Sequence, residues 1–377
     1  MQQDLPYWIA FSRVPSVGRV RIGVLEERFG SLAAAWQASD GELKSCGLDA
    51  SVVSAIRSVR VTIDPEAEYE RVVRSGIRAL TWHDPDYPRG LREIDDLPPV
   101  LYVKGELGRE DGRSVTVVGT RNPTAYGREV ARHLAGDLAQ AGVTVISGLA
   151  RGIDGIAHRA ALEAGGRTLA VMGSGADIIY PSEHTGLARE IASTGALLTE
   201  HPVGTKPEAR HFPRRNRLLS GLSLGTLVVE AGEGSGTLST VKFALEQGRE
   251  VFCVPGSIYS PASRLTNRLV QEGAKLVMGV EDILEELNLS SLTAAQVEIP
   301  GLSDAESVDE ATLLEALDFE PCHVDDISRQ TGLPVTLVTG TLAVLELKGQ
   351  VKQVGRMNYV RARETPGRYR TNGARLT

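Results

Sequence analysis

The sequence lacks any apolar run long enough to span a membrane. Its first six residues have neither the basic start nor the apolar stretch of a secretion signal. Its three cysteines, Cys46, Cys253 and Cys322, are far apart and form no CxxC pair. Cysteines placed in this way are typical of reduced thiols inside the cell. We therefore expect a cytoplasmic protein without a membrane span.

Motifs of common cofactor and metal sites are also missing from the 377 residues. There is no GxxxxGK[ST] motif, and neither of the first two predicted strands of the central region is followed by GxGxxG. These absences argue against a P-loop and against a nicotinamide dinucleotide site. The seven histidines are scattered, with no HExxH or other close ligand spacing. We expect no cofactor and no metal.

The total charge has no positive excess, since it is −7 at neutral pH. The acidic residues are unevenly placed, however. Nine of them lie between Glu281 and Glu310, where no Lys or Arg occurs, and leaving that segment out turns the net charge into +2. Aromatic residues, which stack on bases, make up only 5% of the chain. Local patches rather than total charge must therefore identify the partner.

From Ser114 onwards the sequence contains short apolar strand patterns that alternate with helix patterns. This alternation predicts an α/β fold, an extended Rossmann-like, doubly wound and mostly parallel sheet with helices on both faces. The predicted strands are Val115–Val118, Val143–Ile146, Thr168–Met172, Ala196–Thr199, Thr226–Glu230 and Val251–Val254, and a further strand pattern precedes them over 98–105. The predicted helices include Tyr126–Ala141, Ile153–Ala164, Glu183–Ser193 and Leu238–Gln247.

Glycine, hydroxyl and arginine residues follow the predicted strands, at the edge of the sheet where ligands of this fold class bind. Backbone N–H groups of glycine turns and arginine guanidinium groups both favour phosphate. One such turn, or one basic helix end, would need only a structural explanation, whereas six loops at one edge favour a phosphate-lined groove. The residues expected to bind DNA or its phosphates are Gly119, Thr120, Arg121, Ser147, Gly148, Arg151, Gly152, Lys206, Arg210, Phe212, Arg214, Arg215, Asn216, Arg217, Ser235, Gly236 and Thr237.

Two patterns raise the question of catalysis. Gly221–Gly225 matches GxSxG, but a nucleophile elbow needs a strand before its serine, and here a helix pattern precedes Ser223. We therefore interpret Ser223 as a helix C-terminal residue. Asp154 and His158 lie four residues apart, as a catalytic pair on one helix would. We favour a role in capping and orienting the loop before that helix.

Further domains are predicted on both sides of the core. Residues 14–30 have the pattern of a helix-hairpin-helix unit, a module that grips DNA backbones or serves for packing, and we favour packing. Three helix patterns followed by a hairpin predict a winged helix, for which we favour protein contact or an accessory role over strong duplex binding. The expected boundaries are 1–80 for an N-terminal helical domain of the SAM or helix-hairpin-helix kind, 81–287 for the core, 288–309 for an acidic linker, 310–363 for the winged-helix-like domain and 364–377 for a disordered basic tail.

Three stretches of the core carry distinctive motifs. Ser147–His158 is similar to SGxAxGID…AH, Phe212–Ser223 to FPxRNRIISGLS, and Ser235–Thr240 with Gly248–Gly256 to SGSLxTA…GRxVFAVPG. All three resemble signatures of the DNA-processing protein A family (DprA, also called Smf). Gly119-Thr-Arg121 stands where many members have Gly-Ser-Arg, which keeps the hydroxyl and the arginine. The resemblance covers about 82–287.

The resemblance implies a function that the composition does not. Members of that family bind single-stranded DNA without sequence preference, protect incoming strands and load the RecA recombinase onto them in natural transformation and homologous recombination. The resemblance further implies a homodimer without catalytic activity. The expected partners are therefore single-stranded DNA, RecA, a second copy of the chain and, as a further candidate, single-strand-binding protein.

A second class of function stays open alongside single-stranded DNA binding. Gly234–Thr237 also resembles the PGGxGTxxE loop of phosphoribohydrolases, which are nucleotide-processing enzymes with related cores. That loop places a catalytic Glu after its Thr, and Leu238–Val241 offers no carboxylate there. The missing carboxylate favours the DNA-binding class.

Overall fold

The structure, a computed structural model, describes residues 4–289, 308–317, 322–347, 350–354 and 357–361. The chain divides into two compact units, residues 1–297 and residues 298–377. No helix within the described ranges is long and apolar enough to cross a membrane. The predicted acidic linker lies almost wholly outside the described residues, and so does the predicted basic tail.

Six helices open the first unit: α1 Leu5–Ser12, α2 Arg19–Phe29, α3 Leu32–Gln37, α4 Asp40–Ser45, α5 Ala50–Thr62 and α6 Pro65–Arg74. Gly30 ends α2 in the left-handed conformation, with φ 73°, as the sequence predicts. Ser39 starts α4 with a capping box, because its hydroxyl accepts from Glu42 N while the Glu42 carboxylate accepts from Ser39 N.

One sheet contains the nine strands of the described first unit: β1 Arg78–Thr81, β2 Val100–Gly105, β3 Ser114–Val118, β4 Thr144–Ser147, β5 Thr168–Val171, β6 Ala196–Thr199, β7 Gly225–Val228, β8 Glu250–Cys253 and β9 Lys275–Leu276. They lie in the order β1-β2-β6-β5-β4-β3-β7-β8-β9. All pairs from β6 to β9 are parallel, and β2 runs antiparallel to both of its neighbours. The mostly parallel sheet predicted from the sequence is confirmed, whereas β1 and β9 have no counterpart in that prediction.

Helices cover both faces of this sheet: α7 Arg89–Arg92, α8 Ala125–Gln140, α9 Ile153–Glu163, α10 Thr185–Thr194, α11 His211–Leu222, α12 Thr237–Glu246, α13 Arg264–Gln271 and α14 Val280–Glu286. On one face α8 and α9 bury Leu134 and Ala157 against the strands. On the other face α11 and α12 bury Leu218 and Val241. The sheet is therefore doubly wound, and its strand-end loops remain as the surface open to a ligand.

The N-terminal helices share their hydrophobic core with the sheet. Trp8 and Phe11 of α1 pack in the same buried cluster as Ala79 of β1 and Val100 of β2. The wholly buried Tyr102 of β2 also forms a hydrogen bond of 2.8 Å between its hydroxyl and Ser12 Oγ, and burial raises the pKa of Tyr102. No break in the core therefore marks the domain boundary predicted near residue 80, which stays a prediction.

The second unit has a small core of its own. Its elements are α15 Val308–Ala316, α16 Val324–Thr331, α17 Val335–Leu347, β10 Cys322–His323, β11 Val351–Gln353 and β12 Asn358–Arg361. The strands form an antiparallel sheet in the order β10-β12-β11, and Leu313, Ile327, Leu342 and Tyr359 are buried against it. The winged-helix architecture predicted from the sequence is confirmed. Its last helix, α17, contains no Lys or Arg.

Candidate phosphate-binding site

Loops at the carboxyl ends of β3, β4 and β7, together with the first turns of α11, enclose a cavity of about 750 Å³. We call it the strand-end cavity. It lies where strand order reverses, since the chain moves from β3 outwards to β4 and later returns to β7 on the other side of β3. Ligands of open α/β sheets bind at such a point. The lining includes ten residues singled out from the sequence: Gly119, Thr120, Arg121, Asp154, Phe212, Arg215, Asn216, Ser235, Gly236 and Thr237.

The loop after β3 presents Arg121 to this cavity. Thr120 N donates to the Glu230 carbonyl at 2.7 Å, and Asn122 N donates to Thr120 Oγ1 at 3.2 Å. Arg121 itself is exposed and forms no hydrogen bond or salt bridge with the described part of the chain. Its guanidinium is therefore available to an anion, while the backbone on either side of it is fixed.

Glu230, at the end of the apolar strand β7, is a site residue that the sequence analysis missed. Its buried carboxylate accepts from Thr124 N at 2.8 Å and from Thr124 Oγ1 at 2.7 Å. The Thr124 hydroxyl in turn caps α8 by accepting from Gly127 N. A carboxylate that ends a buried strand was the available signal, because such a charge needs nearby donors.

Arg215 lies beneath the cavity floor, with 5% of its surface exposed. Its Nη1 donates to the Gly148 carbonyl at 2.8 Å and to the Val171 carbonyl. Burial lowers the pKa of Arg215 to about 10, although the neighbouring Asp154 opposes this change. Burial also raises the pKa of Asp154, against the favourable field of Arg215. Arg215 therefore joins the loop after β4 to the end of β5 and places a guanidinium group at the cavity floor.

Asp154 bonds to the loop after β4, and the loop-orienting role expected from the sequence for Asp154 and His158 stays a prediction. One carboxylate oxygen, Oδ2, accepts from Gly148 N at 3.1 Å and from Ala150 N at 3.3 Å. His158, four residues later, instead bonds through Nδ1 to Thr168 Oγ1 at 2.7 Å, which ties α9 to β5. Burial lowers the pKa of His158 to about 3, so the ring is neutral at physiological pH. The two side chains therefore have separate structural partners.

Two aromatic rings lie at the cavity. Phe212 and Tyr180 both line it, with their ring centroids 5.7 Å apart, and Tyr180 is 46% exposed. Gly173 supports Phe212 from below, since a Cβ at that position would lie 3.0 Å from Phe212 Cδ1. A planar base can stack on such a pair whatever its identity.

The loop after β7 supplies backbone and hydroxyl groups. Thr237 N donates to Ser235 Oγ at 3.2 Å, and Ser235 Oγ donates to Thr237 Oγ1 at 2.9 Å. Gly236 precedes α12 and offers no side-chain cap, and the next N–H groups are used inside the turn, since Leu238 N donates to the Ser235 carbonyl at 3.1 Å and Ser239 N to the Gly236 carbonyl at 3.2 Å. The turn therefore offers an anion its hydroxyl groups and the positive end of the helix dipole. Asn216 braces the loop by donating from Nδ2 to Ser239 Oγ at 2.7 Å.

Other predicted residues lie outside the cavity lining. Ser147 Oγ donates to the Val117 carbonyl inside the sheet, Gly148 contacts Arg215, and Gly152, with φ 75°, packs against the Arg121 loop. Four arginines have carboxylate partners: Arg151 with Glu183 at 2.6 Å, Arg210 with Glu208 at 2.8 Å, Arg214 with Glu200 at 3.6 Å and Arg217 with Glu200 at 2.8 Å. Lys206 is exposed beside Pro207 of the lining. The phosphate contacts proposed for these five basic side chains stay predictions.

The serine of the GxSxG match has a structural role. Ser223 follows the last residue of α11, and its hydroxyl donates to the Leu219 carbonyl at 3.2 Å. The interpretation of Ser223 as a helix C-terminal residue is therefore confirmed. Within the described ranges, no group of three or more His, Cys, Asp or Glu side chains is arranged to hold a metal ion.

Taken together, the fold and the site define a class: extended Rossmann-type α/β proteins with a cavity lined by glycine, hydroxyl and arginine residues at the strand ends, and with a winged helix. Comparison with protein families is more specific. A model described as DNA recombination-mediator protein A matches residues 78–288, and one described as the DprA winged helix domain matches residues 300–355. The chain belongs to this DprA/Smf family.

Relatives and solved structures agree with that assignment. The chain is 35% identical over 392 residues to protein Smf of Synechocystis sp., which covers 94% of this chain and 98% of that protein. It is 48% identical over 213 residues to the DNA processing protein DprA of Bacillus subtilis, covering 56% of this chain and 72% of the relative. The Streptococcus pneumoniae DprA structure matches with a TM-score of 0.64 and 33% identity, over 74% of this chain and 96% of that one.

A second solved structure bears on the ligand. DNA processing protein A of Helicobacter pylori, studied for its mode of binding single-stranded DNA, matches with a TM-score of 0.51 and 28% identity. The match covers 57% of this chain and 98% of that chain. Single-stranded DNA is therefore a ligand within this family.

Proposed function

We propose that this protein binds single-stranded DNA without regard to sequence, through the strand-end cavity. The observation that carries the proposal is the meeting, in one cavity, of Arg121, which has no partner among the described residues, with the hydroxyl groups of Ser235 and Thr237 at the start of α12. Both kinds of group bind phosphate. The single-stranded DNA binding of the Helicobacter pylori relative supports the same ligand.

The chemistry of the lining favours a single strand over a duplex. Phosphate contacts fix a strand in place without reading its bases. Phe212 and Tyr180 can stack on an unpaired base, which a duplex would keep inside its own stack. Sequence-independent binding therefore follows from the residue types present.

The test is the Arg121→Ala variant, measured by fluorescence anisotropy on single strands of unrelated sequence. Affinity should fall for every sequence, and the slope of log K against log salt should become shallower by about 0.7 for one lost phosphate contact. Arg132→Ala is the matched control, because that exposed arginine already pairs with Glu129 at 2.6 Å. Equal slopes for Arg121→Ala and wild type would reject this cavity as the binding site.

A further part of the proposal concerns the fate of the bound strand. We propose that the protein acts as a homodimer, protects incoming DNA and transfers it to the RecA recombinase, with single-strand-binding protein as the competitor that must be displaced. The family resemblance supports this role. A dimer would bring two bound strands together at high effective concentration.

RecA ATPase activity on strands coated with single-strand-binding protein tests the loading role. Addition of wild type should shorten the lag before ATP hydrolysis, and Arg121→Ala should not. A lag that wild type leaves unchanged, on strands that it demonstrably binds, would leave only the protective role.

We further propose that the cavity has no catalytic activity. The carboxylates that line it are Asp154 and Glu233, and Asp154 is already used by two backbone N–H groups. The residues after Thr237 supply no carboxylate in the place where phosphoribohydrolases have one. Incubation with nucleoside monophosphates should therefore release no free base, and release above that of an Arg121→Ala control would favour the enzyme.

A further inference from the structure

A second depression lies beside the strand-end cavity. It has a volume of about 440 Å³, and we call it the outer basic cavity. Its lining includes Arg121, Arg128 and Arg159, together with the ring of His184, and no Asp or Glu among the described residues lines it. Arg121 also lines the strand-end cavity, so the two cavities meet at this side chain.

The three arginines have few partners of their own. Arg121 and Arg159 are exposed and form no hydrogen bond or salt bridge with the described part of the chain. Arg128 uses one N–H to bond the Pro123 carbonyl at 2.6 Å, which fixes its side chain and leaves its charge unmatched. Three guanidinium groups around one depression repel one another, and an anion bound between them removes that cost.

Nearby negative charge is already neutralised. Glu183 precedes His184 in the chain and lies outside the lining of the outer basic cavity. Its two oxygens accept from Arg151 at 2.6 and 2.8 Å, a bidentate pair. Arg151 therefore cancels the carboxylate that would otherwise weaken an anion site beside it.

Close backbone contacts fix the walls of this cavity. Gly152, with φ 75°, packs so tightly on the Arg121 loop that a Cβ would lie 2.6 Å from the Arg121 carbonyl carbon. Gly155 leaves room for His184, whose Cε1 would lie 2.8 Å from an added Cβ. Nδ1 of His184 forms a hydrogen bond of 2.9 Å with the Leu149 carbonyl. The cavity is thus a formed feature of the loops after β3 and β4.

We propose that the outer basic cavity binds the backbone phosphates of the same single strand as it leaves the strand-end cavity, with Arg128 and Arg159 as the contacting residues. This inference rests on the proposed function. The two cavities adjoin at Arg121. A single strand of DNA is a polyanion, and its successive phosphates can lie on both sides of this arginine, one in each cavity. A strand must be long enough to reach past Arg121 before the second cavity contributes.

The experiment compares wild type with the Arg128→Ala/Arg159→Ala double variant of the full chain. Dissociation constants are measured for oligothymidylates of increasing length, from about 4 to about 20 nucleotides, a range that brackets single-strand binding sites. The shortest strands should bind both proteins equally. For the longest, the double variant should bind about tenfold more weakly, with a salt slope shallower by about 0.7 to 1.4, as expected for one or two lost phosphates.

The matched control removes two positive charges elsewhere. Arg132→Ala/Arg189→Ala changes an arginine on α8 and an exposed one on α10, neither of which lines the outer basic cavity. It should follow wild type at every length. If alanine lowers the melting temperature, Arg128→Gln/Arg159→Gln serves in its place, because glutamine keeps most of the side-chain length.

The outcomes separate this inference from the proposed function. A double variant that matches wild type at every length overturns the inference, and so does a loss that is equal at all lengths, which would indicate only a general field. Inorganic phosphate or a nucleoside monophosphate that competes at the outer cavity, without any length effect, would identify a separate small-anion site and also overturn it. Failure of wild type to bind any strand would instead overturn the proposed function.

Discussion

The partner of each arginine determines what that arginine can do. Arg215 and Arg217 are two residues apart on α11, and both are buried. Arg215 bonds to main-chain carbonyls, whereas Arg217 bonds to carboxylates. Arg121, in a loop, has neither kind of partner within the part of the chain that the structure describes. The arginines at this edge of the sheet therefore have different roles. Arg215 and Arg217 stabilise the fold, whereas Arg121 is available to bind a ligand.

Arg217 provides a prediction about stability. Its guanidinium donates to both oxygens of Glu200 at 2.8 Å, and both side chains are less than a tenth exposed. Arg217→Met should lower the free energy of unfolding by about 3 kcal/mol, because it removes the bidentate partner of Glu200 and leaves this buried carboxylate only the longer contact with the exposed Arg214. Chemical denaturation measures the change. If Arg217→Met lowered the free energy of unfolding by less than the control variant Arg214→Ala does, the prediction would be wrong.

Arg214 supplies that control. It lies on the same helix and contacts the same carboxylate at 3.6 Å, but its side chain is 58% exposed. Arg214→Ala should change the free energy of unfolding by less than about 1 kcal/mol. The double variant Arg217→Met/Glu200→Gln should recover much of the stability lost in Arg217→Met, since it removes the buried charge as well.

His158 predicts a dependence of stability on pH. Burial lowers its pKa in the folded protein to about 3, whereas an unfolded chain has a histidine pKa of about 6.5. Below pH 6.5 the unfolded chain therefore takes up a proton that the folded protein does not. The contribution of His158 to the free energy of unfolding is fully present above pH 6.5 and is lost as the pH falls. Between about pH 7.5 and 5 this one residue should account for about 2 kcal/mol.

The His158→Gln variant tests that pH dependence. Between about pH 7.5 and 5, the free energy of unfolding should change less in this variant than in wild type. The difference between the two changes should be about 2 kcal/mol, the contribution of the histidine. Identical profiles for His158→Gln and wild type would show that another group titrates.

At the scale of elements, α8 and the loop before it are positioned by one carboxylate. Glu230 at the end of β7 bonds to Thr124, and Thr124 caps the helix that follows the Arg121 loop. Gly127, in the first turn of α8, makes room for this carboxylate, because a Cβ there would overlap it, with Glu230 Cδ at 2.8 Å. Gly127 thus allows the start of α8, Glu230 after β7 and the loop containing Arg121 to pack together.

Gly127→Ala should therefore weaken binding of single-stranded DNA. The added methyl group displaces Glu230, which frees the loop of Arg121, and the gain in helix propensity cannot offset the clash. Anisotropy titrations measure the affinity, and thermal unfolding the stability. Both should fall, with affinity falling at least about threefold, or 0.6 kcal/mol.

Gly136→Ala is the control on the same helix. A Cβ there would have its nearest neighbour, the Ala160 carbonyl, at 4.0 Å, which is an ordinary contact. This variant should be more stable than wild type by about 0.5–1 kcal/mol, the propensity difference between the two residues, with unchanged DNA affinity. Equal behaviour of the two glycine variants would remove the special role of Gly127.

The elements themselves were largely predictable, because apolar runs bounded by glycine and polar residues determine where the parallel strands lie. β1 and β9 were not, since β9 has two exposed residues and β1 follows helices that share its core. The site was predictable only as a set of loops. Whether Arg217 faces a ligand or a carboxylate depends on Glu200 and Asp96, which lie 17 and 121 residues away in the sequence. Ion-pair partners of that kind leave no local pattern.

For the whole molecule, the two units allow a truncation test. A chain ending at Val297 contains the strand-end cavity and the outer basic cavity complete. We predict that it folds cooperatively and keeps most of the single-strand affinity of the full chain. Circular dichroism and anisotropy measure the two properties. A folded but non-binding truncated chain would move the site to the winged-helix unit.

The core that the N-terminal helices share with β1 and β2 has a consequence for how such chains can evolve. Removal of the helices would expose Ala79, Val100 and the otherwise wholly buried Tyr102 to water. A gene fusion or deletion at the start of the sheet would therefore produce an aggregation-prone edge unless these positions changed with it. The winged helix carries its own core and can be gained or lost in a single genetic event, whereas the helical region must be inherited together with the sheet.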